Sequence, residues 1–362
     1  GGWLAGADTG AAADAGAGVA AADGAQRPSG VWPSSSTVPT PSGGNLWIPS
    51  KRDARLGARN EVADMILEKI ASAGGPADSI PKIAVIVAHP DDEAIGAGAA
   101  LRGIPDATVV HVTDGAPNDE EYAHRRGFPT RAAYAQARRD EVVAALGLIG
   151  VPEERILGLG FIDGEAAWHL VDLCNTVAAL LEELQPDVVL THPYEGGHSD
   201  HDSTAFAVHL GAGILRRDGR PAPIILELTS YHNHNGRRRL YDFLPFVGTT
   251  VRTIALSDED RAVKRQMFDA FTSQQELLRT IPVEIERFRT APRYLFTVPP
   301  HEGQLDYERL CRKMTGAEWR LQLDRRSGRV TGSAWAAQRS EGFDASDLGQ
   351  FRGGERLDGG AR

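Results

Sequence analysis

Residues 83–93 read Ile-Ala-Val-Ile-Val-Ala-His-Pro-Asp-Asp-Glu. Five apolar residues run without polar alternation and stop at a histidine followed by three carboxylates. A strand with one wet face would alternate, so "IAVIV" predicts a strand covered on both faces. Residues 187–191, "DVVLT", repeat the pattern and lead into "HPYEGGHSDHD". Between and after these runs, strand-like and helix-like segments alternate. Strands are expected at 82–88, 107–113, 155–159, 187–191, 224–229 and 250–255. Helices are expected at 58–73, 94–102, 131–146, 168–184, 203–215 and 258–278. Arg293–Thr297 is a further edge-strand candidate. This alternation implies an α/β fold with a Rossmann-like, doubly wound, mostly parallel sheet and helices on both faces. In such sheets ligands bind beyond the carboxyl ends of the strands. Both polar clusters then lie on one rim.

The rest of the chain narrows the function. It has 362 residues, 41% apolar and 24% charged, as in a soluble globular protein. A net charge of −10 offers no basic patch for nucleic acid. No apolar run reaches the roughly 18–20 residues that span a bilayer. Cys174 and Cys311 provide neither a disulfide framework nor a thiolate zinc site, and a cytoplasmic setting follows as the default. Residues 1–50 are rich in Gly, Ala, Ser and Pro and read as a low-complexity arm, with Trp3, Trp32 and Trp47 as pins onto the domain. The catalytic domain is expected over 51–300, and a partly disordered C-terminal extension over 301–362. The residues leave oligomeric state open.

The constellation has a chemical logic. His89 and Asp92 lie three apart across a turn, close enough to grip one ion, and His201 completes a His, Asp, His set. Three protein ligands with one open position describe a catalytic zinc site, although Fe2+ or another divalent ion suits the same donors. A cation also relieves the repulsion among the acids. Asp91 is then free to take a proton from water. His198 faces the same place, stabilises an oxyanion and protonates a leaving amine, with Asp200 orienting its ring.

Plainer readings compete. Asp91, Asp92 and Glu93 suit the first turn of a helix, and the acids of "HSDHD" suit the next one. Capping leaves unexplained why both clusters fall on one sheet edge. His192, His232, His234 and His301 read as structural or solvated, and His111 as a satisfied core histidine. Gly96 and Gly98 give two glycines of a dinucleotide fingerprint without the third, and the acids before them would repel a pyrophosphate. Close helix–sheet packing accounts for them better. No G-x-S-x-G elbow is present.

"AHPDDE" with "GHSDHD" resembles the PIG-L or LmbE-like family of zinc-dependent N-deacetylases, in order over roughly residues 80–275. "TDGA" at 113–116, "RRDEVVAALGL" at 138–148, "LGFIDG" at 159–164 and "KRQMFDAFTSQ" at 264–274 continue the likeness. The resemblance implies zinc on His89, Asp92 and His201, with Asp91 as general base. His198 matches the histidine that stabilises the tetrahedral intermediate, and Asp200 its partner. Arg138, with Glu141 three residues on, resembles a substrate-contacting arginine. Asp163 resembles a carboxylate that holds sugar hydroxyls. The chain departs from the family at Ser199 and at Gly196, where some members carry a tyrosine that polarises the carbonyl; Tyr194 is the nearby substitute.

The implied activity is hydrolysis of an N-acetyl or other N-acyl group from a small-molecule amino sugar or glycoconjugate. Two alternatives stand beside it: a metal-dependent hydrolase of a non-sugar amide or ester, and a sugar-binding accessory protein without turnover. "RRRLYDF" at 237–243 reads as a solvated basic surface or as a seat for an anionic aglycone.

Overall fold

The computed structural model describes Glu68, residues 81–310 and residues 314–326. The helix expected at 58–73 falls almost wholly outside these residues, as do the N-terminal arm with its three tryptophans and the tail beyond 326.

The chain enters through β1 (Ile83–Val87), α1 (Asp92–Leu101), β2 (Thr108–Pro117), α2 (Glu120–Arg125) and α3 (Arg131–Gly147). It continues through β3 (Ile156–Asp163), α4 (Leu170–Leu184), β4 (Val188–Thr191), α5 (Ser199–Arg217) and β5 (Ile224–Leu228). Next come β6 (Tyr231–His234), β7 (Arg237–Leu240), β8 (Val251–Ala255), α6 (Asp258–Ala270), α7 (Gln275–Leu278) and β9 (Ile285–Thr290). α8 (Asp306–Leu310) and α9 (Gly316–Arg326) close the described chain.

Seven strands form one sheet in the order β3-β2-β1-β4-β5-β9-β8. β3, β2, β1, β4 and β5 are parallel neighbours, and β9 runs antiparallel between β5 and β8. Both faces are covered, which is why β1 is apolar throughout. Ile83, Val85 and Val87 join the core built with Val142 of α3 and Met267 of α6. Ala84 and Ile86 join the opposite core with Leu173 of α4 and Val208 of α5. The doubly wound expectation is met. Among the described residues, no helix is long and apolar enough to cross a membrane.

Several elements differ from the sequence expectation. Residues 291–298 form no strand; the added strand is β9, which pairs on both sides. The helix expected over 258–278 breaks after Ala270, because Thr272 and Ser273 turn to bind Glu141 of α3. β6 and β7 make a separate hairpin. Its turn is Asn235-Gly236, both at positive φ, a hairpin signal the residues carried.

α1 is irregular as well. Ala97 leaves helical geometry (φ −148°, ψ 17°), so the following N–H groups lose their partners. The Glu286 carboxylate on β9 accepts from Ala99 N at 2.9 Å and from Ala100 N at 3.0 Å. Lys264 Nζ on α6 closes the other side, donating to Ile95 O at 2.8 Å and to Glu286 at 2.6 Å. A Cβ on Gly96 would lie 2.4 Å from Leu228 Cδ1, so the glycine permits close helix–sheet approach, as expected.

Beyond residue 300 the described chain packs back onto the domain. Trp319 is buried in the second core and donates to Ser203 Oγ at 2.9 Å.

Candidate active site

The strand order reverses direction between β1 and β4, and the loops after these two strands meet there. The first loop and the start of α1 deliver His89, Asp91 and Asp92, and the second loop and the first turn of α5 deliver His198, Asp200 and His201. All six side chains are buried. Parallel β1 and β4 are hydrogen-bonded neighbours, so residues about a hundred apart in sequence meet at one edge of the sheet.

His89, Asp92 and His201 each offer a ligand atom, and these atoms lie within 4.8 Å of one another. Asp92 Oδ2 is 3.2 Å from His89 Nδ1, and Asp92 Oδ1 is 3.2 Å from His201 Nε2. His201 Nε2 is buried, faces Asp92 Oδ1 and makes no hydrogen bond of good geometry, which suits a metal-ligand atom. Two imidazoles and one carboxylate without a thiolate suit a borderline divalent ion. By donor type and spacing these residues fit a metal.

The electrostatics of Asp92 and His201 suit a cation. Burial would raise Asp92, but His201 and His192 hold it well below the usual carboxylate range. Burial lowers His201 to about 3, which keeps the ring neutral and its nitrogen a donor of electrons. His192 stacks flat on His201, with ring centroids 3.9 Å apart and planes within 5°. Its Nε2 accepts from Ala88 N at 3.0 Å, tying the β4 loop to the end of β1. The same Nε2 lies 3.3 Å from Asp92 Oδ2, so His192 braces two of the candidate ligands.

Asp163 and Asp200 take places other than those the motifs suggested. Asp163 Oδ1 is 3.2 Å from His89 Nε2, and Asp200 Oδ2 is 3.3 Å from the same nitrogen. With Asp92 on Nδ1, these two acids hold the opposite side of the ring. Burial would lower His89, but Asp163, Asp200 and Asp92 raise it well above its ordinary value. Burial opposes the lowering of Asp163, which His89 nevertheless pulls far down. Asp200 Oδ2 also accepts from Gly164 N at 2.7 Å. Its carboxylate is 3.9 Å from His198 Nδ1, and that nitrogen instead accepts from the Asp200 backbone N–H at 3.2 Å. The ring proton of His198 is left on Nε2. Burial lowers this histidine to about 3, which favours a neutral ring over the protonated one that donating to a leaving amine would need.

Arg138, expected at the substrate, is buried beneath Asp91. Its Nη2 donates to Asp91 Oδ2 at 3.1 Å and to the Pro90 carbonyl. Burial raises Asp91, and the guanidinium pulls against that rise. Glu141 lies 3.9 Å from Arg138 Nη1 and is itself fixed by Thr272 and Ser273, each at 2.7 Å. The break in the long helix thus supports the arginine under Asp91, which no local pattern announces.

Tyr194 does not replace the missing tyrosine. Its ring packs against Phe296 and Trp319, and its hydroxyl donates to Val298 O at 2.9 Å. Gly196 sits at φ +71°, and a Cβ there would lie 2.7 Å from Leu305 Cδ2. The C-terminal segment fills the space a side chain would take. "RRRLYDF" forms β7 and the turn after it. Arg238 lies 4.2 Å over the Tyr231 ring, and Tyr231 packs 5.4 Å from the His201 ring.

A doubly wound sheet carrying a His/Asp cluster at its crossover defines an α/β protein with a candidate metal centre. Residues 84–210 match the model of the family described as GlcNAc-PI de-N-acetylase, PIG-L. A probable N-acetyl-α-D-glucosaminyl L-malate deacetylase of Bacillus cereus is 28% identical over 144 residues, covering 38% of this chain and 64% of that protein. A 1D-myo-inositol 2-acetamido-2-deoxy-α-D-glucopyranoside deacetylase of Salinispora arenicola is 33% identical over 148 residues, covering 33% and 46%. The chain thus spans less than two thirds of the length of these curated relatives. The N,N'-diacetylchitobiose deacetylase structure from Pyrococcus horikoshii aligns with TM-score 0.45 and 22% identity, over 71% of this chain and 98% of that one.

Proposed function

We propose that the protein is a metal-dependent N-deacetylase that hydrolyses the N-acetyl group of a small amino-sugar substrate, in a cytoplasmic setting. The observation that carries this reading is the buried Asp91 carboxylate next to a His89, Asp92, His201 set whose ligand atoms lie within 4.8 Å. The likeness of residues 84–210 to the de-N-acetylase family supports the reaction class.

His89, Asp92 and His201 would hold the ion, with zinc the proposed metal. When bound there, such an ion supplies Lewis-acid polarisation of an amide carbonyl and lowers the pKa of water. Asp91 receives the proton of the attacking water. Arg138 fixes the Asp91 carboxylate and keeps it ionised against the effect of burial. His198 presents Nε2–H to the oxygen on which negative charge develops, and a neutral imidazole serves as such a donor. Asp163 and Asp200 hold the His89 ring through Nε2 and leave Nδ1 for the ion. The proton taken by Asp91 then passes to the departing amine.

The test is acetate release from a panel of N-acetylglucosaminides, before and after chelation, by the wild type and by Asp91→Asn. The wild type should release acetate only with metal. Asp91→Asn should keep its metal and lose roughly 10²–10⁴-fold in turnover. Undiminished turnover in that variant would remove Asp91 from the base role. Release from plain amides alone would remove the sugar.

A further inference from the structure

Asp91 has the most unusual backbone of any described non-glycine residue near the site, at φ 147° and ψ −23°. L-residues seldom adopt this region, and holding one there costs on the order of 1–3 kcal/mol. Such a conformation persists only where the surroundings impose it. Asp91 is also the N-cap of α1, yet its side chain makes no capping hydrogen bond. An N-cap aspartate normally turns its carboxylate back onto the helix. Here the twisted backbone sends the carboxylate to Arg138 instead.

The backbone N–H of Asp91 shows what imposes the twist. It donates to Glu93 Oε2 at 3.2 Å. The same oxygen lies 2.9 Å from His111 Nε2 on β2. Both side chains are buried, and His111 is in register with Val87, the last residue of β1. Glu93 is therefore anchored from the neighbouring strand and cannot follow Asp91 if that residue relaxes.

We propose that Glu93, held by His111, is a positioning residue that keeps Asp91 in its twisted conformation and so aims the base carboxylate away from the helix. The proposal rests on the reading of Asp91 as the base. Glu93 touches no reacting atom; it acts through the Asp91 main chain. Its carboxylate accepts the N–H that the twist presents, and His111 sets where that acceptor stands.

The experiment compares E93A, E93Q and H111Q in the full chain. The readouts are kcat and KM on whichever N-acetylglucosaminide the wild type turns over best, bound metal, and the Asp91 backbone in a crystal structure of each variant. E93A should lower kcat about a hundredfold, the scale of a misplaced catalytic group, with KM and metal content unchanged. Its Asp91 should leave the positive-φ region and cap α1. E93Q keeps an oxygen acceptor for the Asp91 N–H and should regain most of the loss; H111Q should fall between. A purely structural Glu93 would lower the melting temperature and leave kcat and the Asp91 φ where they were, which overturns the proposal. A loss of kcat with Asp91 still twisted overturns it too. If E93A does not fold, E93Q and H111Q carry the comparison on the same readouts. If the wild type deacetylates no sugar, the deacetylase reading fails, while the Asp91 backbone in the variants still decides whether Glu93 imposes the twist.

Discussion

The Asp200 carboxylate stands 3.3 Å from His89 Nε2 and 3.9 Å from His198 Nδ1, so it supports a histidine of the candidate metal site and meets His198 chiefly through its main chain. Removing its charge should therefore act on the ion. Asp200→Asn is expected to weaken divalent-metal affinity about 10–100-fold, as for lost carboxylate support of a ligand histidine. Titration of the metal-free protein with zinc measures this. Unchanged affinity with a damaged alkaline limb of the rate profile would return Asp200 to His198.

Metal removal should separate ligands from supports. His201→Ala removes the buried Nε2 that faces Asp92 and should abolish stoichiometric metal binding in a folded protein. His192→Phe keeps a flat ring against His201 and should retain metal while loosening the tie to Ala88. Metal analysis of the two purified variants, with circular dichroism as the folding control, checks the contrast.

Arg138 predicts a pH shift with a definite sign. Burial raises Asp91, and the nearby guanidinium opposes that rise. As the proposed base, Asp91 works only when ionised, so activity should fall as pH drops through its pKa. Removing the guanidinium in Arg138→Gln lets that pKa climb. The acid limb of kcat/KM should move to higher pH, and activity at neutral pH should fall. A full pH profile tests this; an acid limb that stays in place would disconnect Arg138 from Asp91.

Lys264 and Glu286 predict a loss of stability away from the chemistry. Their 2.6 Å contact is buried, and Glu286 also satisfies two N–H groups at the break in α1. Breaking one member of such a pair leaves an uncompensated buried charge and costs about 3–5 kcal/mol. Glu286→Gln should lose stability on that scale in urea. Metal affinity at His89 and His201 should change far less in whatever fraction remains folded.

The residues alone determined the architecture of the parallel half and the place of the site. "IAVIV" and "DVVLT" are local signals, because a strand buried on both faces must be apolar at every position. Ending both runs in His and Asp clusters put the chemistry at one rim before any contact was known. The Asn235-Gly236 hairpin was also written in the sequence, since its two positive φ angles favour that pair. Tertiary structure alone decided the partners. It gave Asp163 and Asp200 to His89, laid Arg138 under Asp91, broke the helix at Phe271 to brace Glu141, and filled the space beside Gly196 with Leu305. The reason is physical. Backbone period and turn chemistry are set by near neighbours, whereas a buried carboxylate takes whichever donor packing brings within about 3 Å, and that donor lies tens to a hundred residues away.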